Sequence, residues 1–121
     1  MYMTKKILVV DDDPDILDAI TLVLEDTGYR VESSLEANYI LRLKNSNLPD
    51  LIILDVLLSG SDGRLVCKQL KKKEITRKIP VIMISAHPNV EQSVKDAGAE
   101  EFIPKPFNIA DLLMKVEKYV S

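Results

Sequence analysis

Three short apolar runs without alternating polar positions constrain the fold more than any other feature of this 121-residue chain. The runs are ILVV at 7–10, LIIL at 51–54 and VIMI at 81–84. Continuous runs rich in β-branched residues are typical of strands buried on both faces, as in a parallel sheet covered by helices. RVESS at 30–34 and EFI at 101–103 are weaker candidates. The pattern therefore predicts five strands with room for a crossover helix between successive ones.

Helix signals occupy the gaps between these strands. Asp13 and Pro14 are typical of an N-cap and a first helical residue, and Gly28 is typical of a helix stop. Further helices are predicted near 36–44, 64–73 and 88–97, and a last one opens at Asn108. The alternation predicts one α/β domain over residues 1–121, a doubly wound five-stranded parallel sheet flanked by five helices. If the strand order is 2-1-3-4-5, one of the common orders for such sheets, the order reverses between the first and third strands.

Composition bounds the class of protein and its partners. With 46% hydrophobic and 29% charged residues, the chain is typical of a soluble globular protein. Its apolar runs fall far short of the about 20 residues that a membrane-spanning helix needs, so we expect no membrane partner. The net charge of −3 gives no electrostatic footprint for nucleic acid. Cys67, the one cysteine, cannot form an internal disulfide, which agrees with a cytoplasmic location.

One edge of the predicted sheet collects acidic and other polar residues. Asp11 and Asp12 directly follow the first strand, Asp55 the third and Ser85 the fourth, and Lys105 lies two residues beyond the fifth. Ligands of open α/β sheets bind at this carboxyl edge, where the strand order reverses. Two carboxylates about 5 Å apart repel by roughly 3 kcal/mol at an effective dielectric constant of about 20, so we expect a cation among them. An all-oxygen ligand set favours Mg²⁺ over Zn²⁺.

Four motifs on the predicted strand ends together resemble the receiver domain of two-component response regulators. They are VVDDDP, LIILDVLLSGSDG, VIMISA and FIPKPF, and the similarity covers residues 5–120. The resemblance implies that Asp55 is the phosphoacceptor. It also implies a magnesium ion held by Asp55 itself, by Asp12 directly and by Asp11 through water. The backbone carbonyl of Leu57 would be a further ligand.

The same resemblance implies roles for residues on the fourth and fifth strands. Lys105 would pair with the phosphoryl group, Ser85 would be the switch hydroxyl and Phe102 the switch aromatic. The bond from Lys105 to Pro106 is expected to be cis. On phosphorylation, the Ser85 loop would move inward and the Phe102 ring would follow. The face built from the fourth helix, fifth strand and fifth helix would then change.

The function that the resemblance implies is phosphorelay signal transduction in the cytoplasm. Such a domain is not an enzyme with an external substrate, because it catalyses only its own phosphorylation and dephosphorylation. The implied donor is a histidine kinase or a histidine phosphotransfer protein, and a downstream protein would bind the changed face. We expect no nucleic acid to bind this domain alone, and we expect a homodimer to form on phosphorylation.

Three alternative functions fit the same fold. A flavodoxin-like FMN binder needs a glycine- or hydroxyl-rich phosphate loop after the first strand, where three acids would repel the phosphate. Asp11-x-Asp13 resembles the first motif of Mg²⁺-dependent phosphohydrolases of the haloacid-dehalogenase class, which use an aspartyl nucleophile. Phosphate on Asp11 would identify the hydrolase, and phosphate on Asp55 the receiver. The third alternative is a receiver-like interaction module that is never phosphorylated.

The chain departs from the frequent family pattern just after the phosphoacceptor position. Leu58-Ser59 stands where Met-Pro is frequent. Without the proline, the loop over 59–63 is expected to be less stiff, which bears on loop geometry rather than on the chemistry.

Overall fold

The computed structural model describes residues 4–120. The strands are β1 (Lys6–Val10), β2 (Arg30–Ser34), β3 (Leu51–Asp55), β4 (Leu57–Leu58), β5 (Ser61–Asp62), β6 (Val81–Ser85) and β7 (Glu101–Pro104). The helices are α1 (Pro14–Thr27), α2 (Asn38–Leu41), α3 (Gly63–Lys72), α4 (Glu91–Asp96) and α5 (Ile109–Val120). Strands and helices alternate along the chain except at β4 and β5, which follow β3 directly.

The main sheet contains five parallel strands in the order β2-β1-β3-β6-β7. Because β6 and β7 are the fourth and fifth strands predicted from sequence, the expected order 2-1-3-4-5 is confirmed. β4 and β5 form a separate antiparallel hairpin that the apolar pattern does not predict. The strand order reverses between β1 and β3, where Val10 pairs in register with Leu54. The residues that follow these two therefore meet at one point of the carboxyl edge.

Each face of the sheet has its own buried core, as the uninterrupted apolar runs predict. Alternate residues of a strand point to opposite faces, so Leu8 and Val10 pack on one side and Ile7 and Val9 on the other. The helix residues that cover the first side are Ile40, Val66, Leu70 and Val94, and those that cover the second are Ile20, Leu24, Leu112 and Val116. Five helices therefore flank the sheet, with α2, α3 and α4 on one face and α1 and α5 on the other.

Local capping explains why α1 and α5 begin where the sequence predicts. The Asp13 carboxylate accepts hydrogen bonds from two backbone N–H groups of the first turn of α1, and Pro14 is the first helical residue. Gly28 ends α1 with a φ of 111°, a left-handed conformation that costs glycine little. The Asn108 side chain accepts a backbone N–H at the start of α5, 2.7 Å away.

The second and fourth helices are shorter than predicted. α2 covers Asn38–Leu41 rather than 36–44, and Ala37 at its start has no side-chain oxygen to cap the first turn. α4 covers Glu91–Asp96 rather than 88–97, because Asn89 takes a φ of 62° that a right-handed helix cannot contain. The sequence signals locate these helices along the chain, but they do not predict where the helices begin and end.

The longest of the described helices, α1, has 14 residues. None of the helices within residues 4–120 is long and apolar enough to cross a membrane.

Candidate functional site

Three carboxylates converge at the point where the strand order reverses. Asp11 and Asp12 follow β1, and Asp55 is the last residue of β3. One carboxylate oxygen from each residue lies within 4.8 Å of one from each of the others. Asp11 is fully buried, Asp55 is 7% exposed and Asp12 is half-buried. The three acids therefore form a poorly solvated concentration of negative charge, unlike surface acids that only cap a helix.

Lys105 places an ammonium group among these carboxylates. Its Nζ lies 3.1 Å from Asp11 Oδ2 and 3.3 Å from Asp55 Oδ2. Lys105 directly follows β7, and its backbone N–H donates to the carbonyl of Ser85 at the end of β6, 2.8 Å away. The next bond, from Lys105 to Pro106, is cis. The lysine is thus attached to the carboxyl edge through its backbone while its side chain reaches back to β1 and β3.

The charges of this cluster do not balance. Three carboxylates and one ammonium leave two negative charges in a largely buried space. Burial raises the pKa of the Asp55 carboxyl to about 6, and the charge of Asp11 adds to this rise while Lys105 opposes it. Burial alone would lower the pKa of the Lys105 ammonium, but hydrogen bonding and attraction to Asp11 and Asp55 raise it above its usual value. A divalent cation would neutralise the charge that remains.

The donor atoms fit a hard divalent cation. Within residues 4–120, the cluster consists of aspartates alone, and carboxylate oxygens are preferred by Mg²⁺ rather than by softer ions. Asp11 Oδ1 already accepts the backbone N–H of Asp13 at 2.9 Å, and its Oδ2 accepts from Lys105. Asp12 and Asp55 accept fewer hydrogen bonds and are better placed for direct ligation. This difference is compatible with Asp11 acting through a water molecule.

Ser85 and Phe102 lie on the two strands beyond β3. Ser85 is buried at the end of β6, and its Oγ accepts the backbone N–H of His87 at 3.0 Å. The hydroxyl proton therefore remains available for another acceptor. Phe102 is half-buried in β7 and lines a cavity of about 730 Å³ with His87, Val90 and Lys115. The aromatic ring consequently has open space on one side.

The β4–β5 hairpin lies directly after Asp55. Leu57 begins the hairpin and pairs with Asp62, and its side chain is 41% exposed. Gly63 follows the hairpin so closely against β3 that a Cβ atom there would lie 2.2 Å from the Asp55 carbonyl oxygen. The segment that the sequence predicts as a loop therefore includes a hydrogen-bonded hairpin. Gly63, which follows the hairpin, lies against the backbone of Asp55.

Two sets of polar contacts in and after the hairpin are not evident from the sequence. The Ser59 hydroxyl donates to Asp12 Oδ2 at 2.8 Å. The Arg64 guanidinium donates to Asp62 at 2.7 and 2.9 Å, and also to the Ser93 hydroxyl of α4 at 3.1 Å. The sequence signal for a role of Ser59 or Arg64 is only that each comes shortly after β3. The contacts themselves depend on the direction of the side chains, which tertiary structure sets.

Comparison with known proteins identifies the family. The model of the response regulator receiver domain matches residues 7–117, so the chain belongs to this family and the resemblance is confirmed. RpaA of Synechocystis sp., a DNA-binding dual master transcriptional regulator, is 36% identical over 113 residues, which cover 92% of this chain and 47% of RpaA. The phosphate regulon transcriptional regulatory protein PhoB of Escherichia coli is 34% identical over 117 residues, which cover 95% of this chain and 51% of PhoB. The chain spans about half the length of these curated relatives.

Solved structures agree with the fold. A Chloroflexus aurantiacus protein described as a response regulator has a TM-score of 0.90 at 32% identity, with 98% of both chains covered. The receiver domain of the Pseudomonas aeruginosa sensor histidine kinase PA1611 has a TM-score of 0.88 at 25% identity, also with 98% of both chains covered. That structure holds a magnesium ion coordinated in its active site cleft. The chain is therefore a receiver domain of the kind used in phosphorelay signalling.

Proposed function

We propose that this receiver domain accepts a phosphoryl group on Asp55 in a Mg²⁺-dependent reaction, from a histidine kinase or a histidine phosphotransfer protein. One observation carries the proposal: the Asp55 carboxylate lies in a cluster with two other carboxylates and 3.3 Å from the Lys105 ammonium. A positioned nucleophile, a cation site and a fixed positive charge are the groups on which phosphoryl transfer depends.

The transfer forms one bond and breaks one. An Asp55 oxygen attacks phosphorus in line, the bond from phosphorus to the donor nitrogen breaks, and the donor imidazole keeps that electron pair. Lys105 pairs with the negative charge on the phosphoryl oxygens. The three aspartates and the Leu57 carbonyl would hold Mg²⁺, which supplies further charge neutralisation when bound. The product is an acyl phosphate that water can hydrolyse, so the modification is transient.

Ser85 and Phe102 carry the change of shape in this proposal. A phosphoryl oxygen on Asp55 attracts the Ser85 hydroxyl, whose oxygen accepts from His87 but whose proton is available. The loop after β6 then moves toward Asp55, and the Phe102 ring turns inward. The face of α4, β7 and α5 changes as a result, and we assign the contact with a downstream protein to that face.

The geometry favours the receiver reaction over a hydrolase that uses Asp11 as nucleophile. Asp11 is fully buried, and both of its oxygens accept hydrogen bonds, from Asp13 and from Lys105. Asp55 is less deeply buried and accepts one hydrogen bond from a side chain within residues 4–120. The three aspartates and Lys105 are all present, which argues against an interaction module that is never phosphorylated. The domain is in this account a signalling switch and not an enzyme with an external substrate.

Incubation with Mg²⁺ and acetyl phosphate, followed by intact-mass analysis, tests the proposal. We expect wild type to gain one phosphoryl group, and the gain to require Mg²⁺. The gain should disappear in Asp55→Asn and persist in Asp18→Asn, which changes an exposed aspartate in the middle of α1. If wild type binds Mg²⁺ by titration but gains no phosphoryl group, the proposal is overturned in favour of the interaction module.

We also propose that the protein is cytoplasmic and that it forms a homodimer when phosphorylated. The single buried thiol, Cys67, and the kinase-type donor favour the cytoplasm. We expect phosphorylation to promote a homodimer, which light scattering with and without the phosphodonor would detect as a doubling of mass. An unchanged mass at full phosphorylation would remove the dimer and leave the phosphoacceptor role intact.

A further inference from the structure

Ser59 connects the hairpin after Asp55 to the loop after β1. It lies between β4 and β5, and its hydroxyl donates to Asp12 Oδ2 at 2.8 Å, across 47 positions of sequence. Within residues 4–120, this is the one hydrogen bond that the Asp12 carboxylate accepts. Asp11, by contrast, is held by a backbone N–H and by Lys105. The orientation of the Asp12 side chain therefore depends on Ser59.

We propose that Ser59 is a positioning residue that raises the affinity of the site for Mg²⁺ by orienting the Asp12 carboxylate. This inference rests on the proposed role of Asp12 as a direct magnesium ligand. A half-buried carboxylate that accepts no other hydrogen bond from residues 4–120 can rotate about two side-chain bonds, and binding a cation would have to stop that rotation. A hydroxyl that already holds one oxygen removes part of this entropic cost before the ion arrives.

The hydrogen bond is compatible with ligation of the same carboxylate. Two carboxylate oxygens offer about four lone-pair directions, and one hydroxyl uses one of them. Asp12 Oδ1 and the remaining lone pair of Oδ2 therefore stay available to a cation. Ser59 orients the ligand without competing for the coordination position.

The contact also depends on the departure of this chain from the frequent family pattern. A proline at position 59 has no side-chain donor and could not hold Asp12. Here the hydroxyl attaches the hairpin to the metal ligand, and the same hairpin begins at Leu57, whose carbonyl is a proposed ligand. Ser59 thus links the two sides of the proposed coordination sphere.

Magnesium titration of Ser59→Ala tests the inference. Binding is measured by isothermal titration calorimetry or by the amide chemical shifts of Asp12 and Asp55. Outer contacts to buried metal ligands change affinity by about 10- to 100-fold, and because Ser59 is exposed we expect a weakening of about 3- to 10-fold. Ser59→Thr keeps the hydroxyl and should bind Mg²⁺ within about twofold of wild type. Ser61→Ala, a control on the same hairpin, should leave affinity unchanged.

The phosphorylation rate distinguishes a role of Ser59 in Mg²⁺ affinity from a role in the transfer reaction. At saturating Mg²⁺, Ser59→Ala should be phosphorylated by acetyl phosphate as fast as wild type, because only the occupancy of the cation site has changed. Affinity of Ser59→Ala equal to or tighter than that of wild type would overturn the role of Ser59 while the phosphoacceptor proposal stands. Absence of Mg²⁺-dependent phosphorylation in wild type itself would instead overturn the proposed function on which this role rests.

Discussion

The groups around Asp55 have opposite effects on the pKa of its carboxyl. Asp55 is 7% exposed beside the fully buried Asp11, and the Lys105 ammonium lies 3.3 Å from one of its oxygens. Burial is the largest influence, so the pKa of Asp55 rises to about 6 despite the lysine. The ionised form of Asp55 is the one that acts as ligand and nucleophile. Ionisation of Asp55 therefore lowers the free energy of unfolding. A bound divalent cation would remove that loss.

Asp55→Asn should stabilise the metal-free protein at pH 8. The folded pKa of about 6 lies above the unfolded value of about 4, so stability is lost as pH rises from about 4 through 6. That separation corresponds to about 3 kcal/mol, and an amide does not ionise. We expect urea denaturation in EDTA to show the variant more stable than wild type by up to about 3 kcal/mol at pH 8.

Two comparisons check this assignment to Asp55. The stability difference should shrink toward zero as pH falls below about 4, where the wild-type carboxyl becomes protonated in both states. Added Mg²⁺ should stabilise wild type more than the variant, because the amide is a weaker ligand. A variant less stable than wild type at pH 8 without metal would contradict the account.

Asp62 and Arg64 connect the β4–β5 hairpin, α3 and α4. The Asp62 side chain accepts the backbone N–H of Arg64 at 2.9 Å and so caps α3. Hydrogen bonding from the Arg64 guanidinium holds the pKa of Asp62 below its usual range, although burial opposes this effect. The same guanidinium reaches Ser93 in α4. The start of α3 and the start of α4 are therefore joined.

Asp62→Ala should destabilise the protein by about 1 kcal/mol at pH 7, the usual effect of losing an N-cap. The pKa of Asp62 is depressed in the folded state, so its contribution is present above about pH 4 and is lost as pH falls below that value. The difference from wild type in denaturant midpoint should accordingly diminish in acid. Asp18→Ala, in the exposed middle of α1, should show no such pH dependence. A pH-independent loss in Asp62→Ala would argue against an ionised cap.

Gly63 limits how the hairpin can pack against β3. A Cβ atom there would lie 2.2 Å from the Asp55 carbonyl oxygen and 3.1 Å from that of Val56, so backbone would have to move. We expect Gly63→Ala to lower the free energy of unfolding by about 3 kcal/mol and to shift the Asp55 amide resonance. Gly60→Ala is the matched control, because nothing lies within 4 Å of its Cβ and only its φ of 73° opposes the change. Its expected cost is about 1 kcal/mol. Equal losses in the two variants would contradict the close approach at Gly63.

The features that sequence predicts are those set by local or strictly periodic signals. Apolar runs define three strands of the main sheet, two weaker patterns indicate the other two, and Asp13 and Gly28 define the ends of α1. The ends of α2 and α4 depend on an uncapped alanine and on the left-handed Asn89, neither of which hydrophobic spacing registers. The β4–β5 hairpin has two residues in each strand, too few for a periodic pattern.

At the scale of the whole molecule, topology converts sequence positions into a site. The parallel order β2-β1-β3-β6-β7 brings the ends of β1 and β3 together, although Asp11 and Asp55 are 44 positions apart. The charged residues of the site can therefore be predicted once the sheet is predicted. The contact from Ser59 to Asp12 cannot, because it depends on how the hairpin side chains point.

Mapping the phosphorylated residue shows directly whether Asp55 is the phosphoacceptor. After reaction with Mg²⁺ and acetyl phosphate, borohydride reduction converts an aspartyl phosphate to homoserine, which peptide sequencing by mass spectrometry locates. The account predicts homoserine at position 55, with aspartate retained at 11, 12 and 13. Homoserine at position 11 would contradict it and assign the nucleophile of a phosphohydrolase instead.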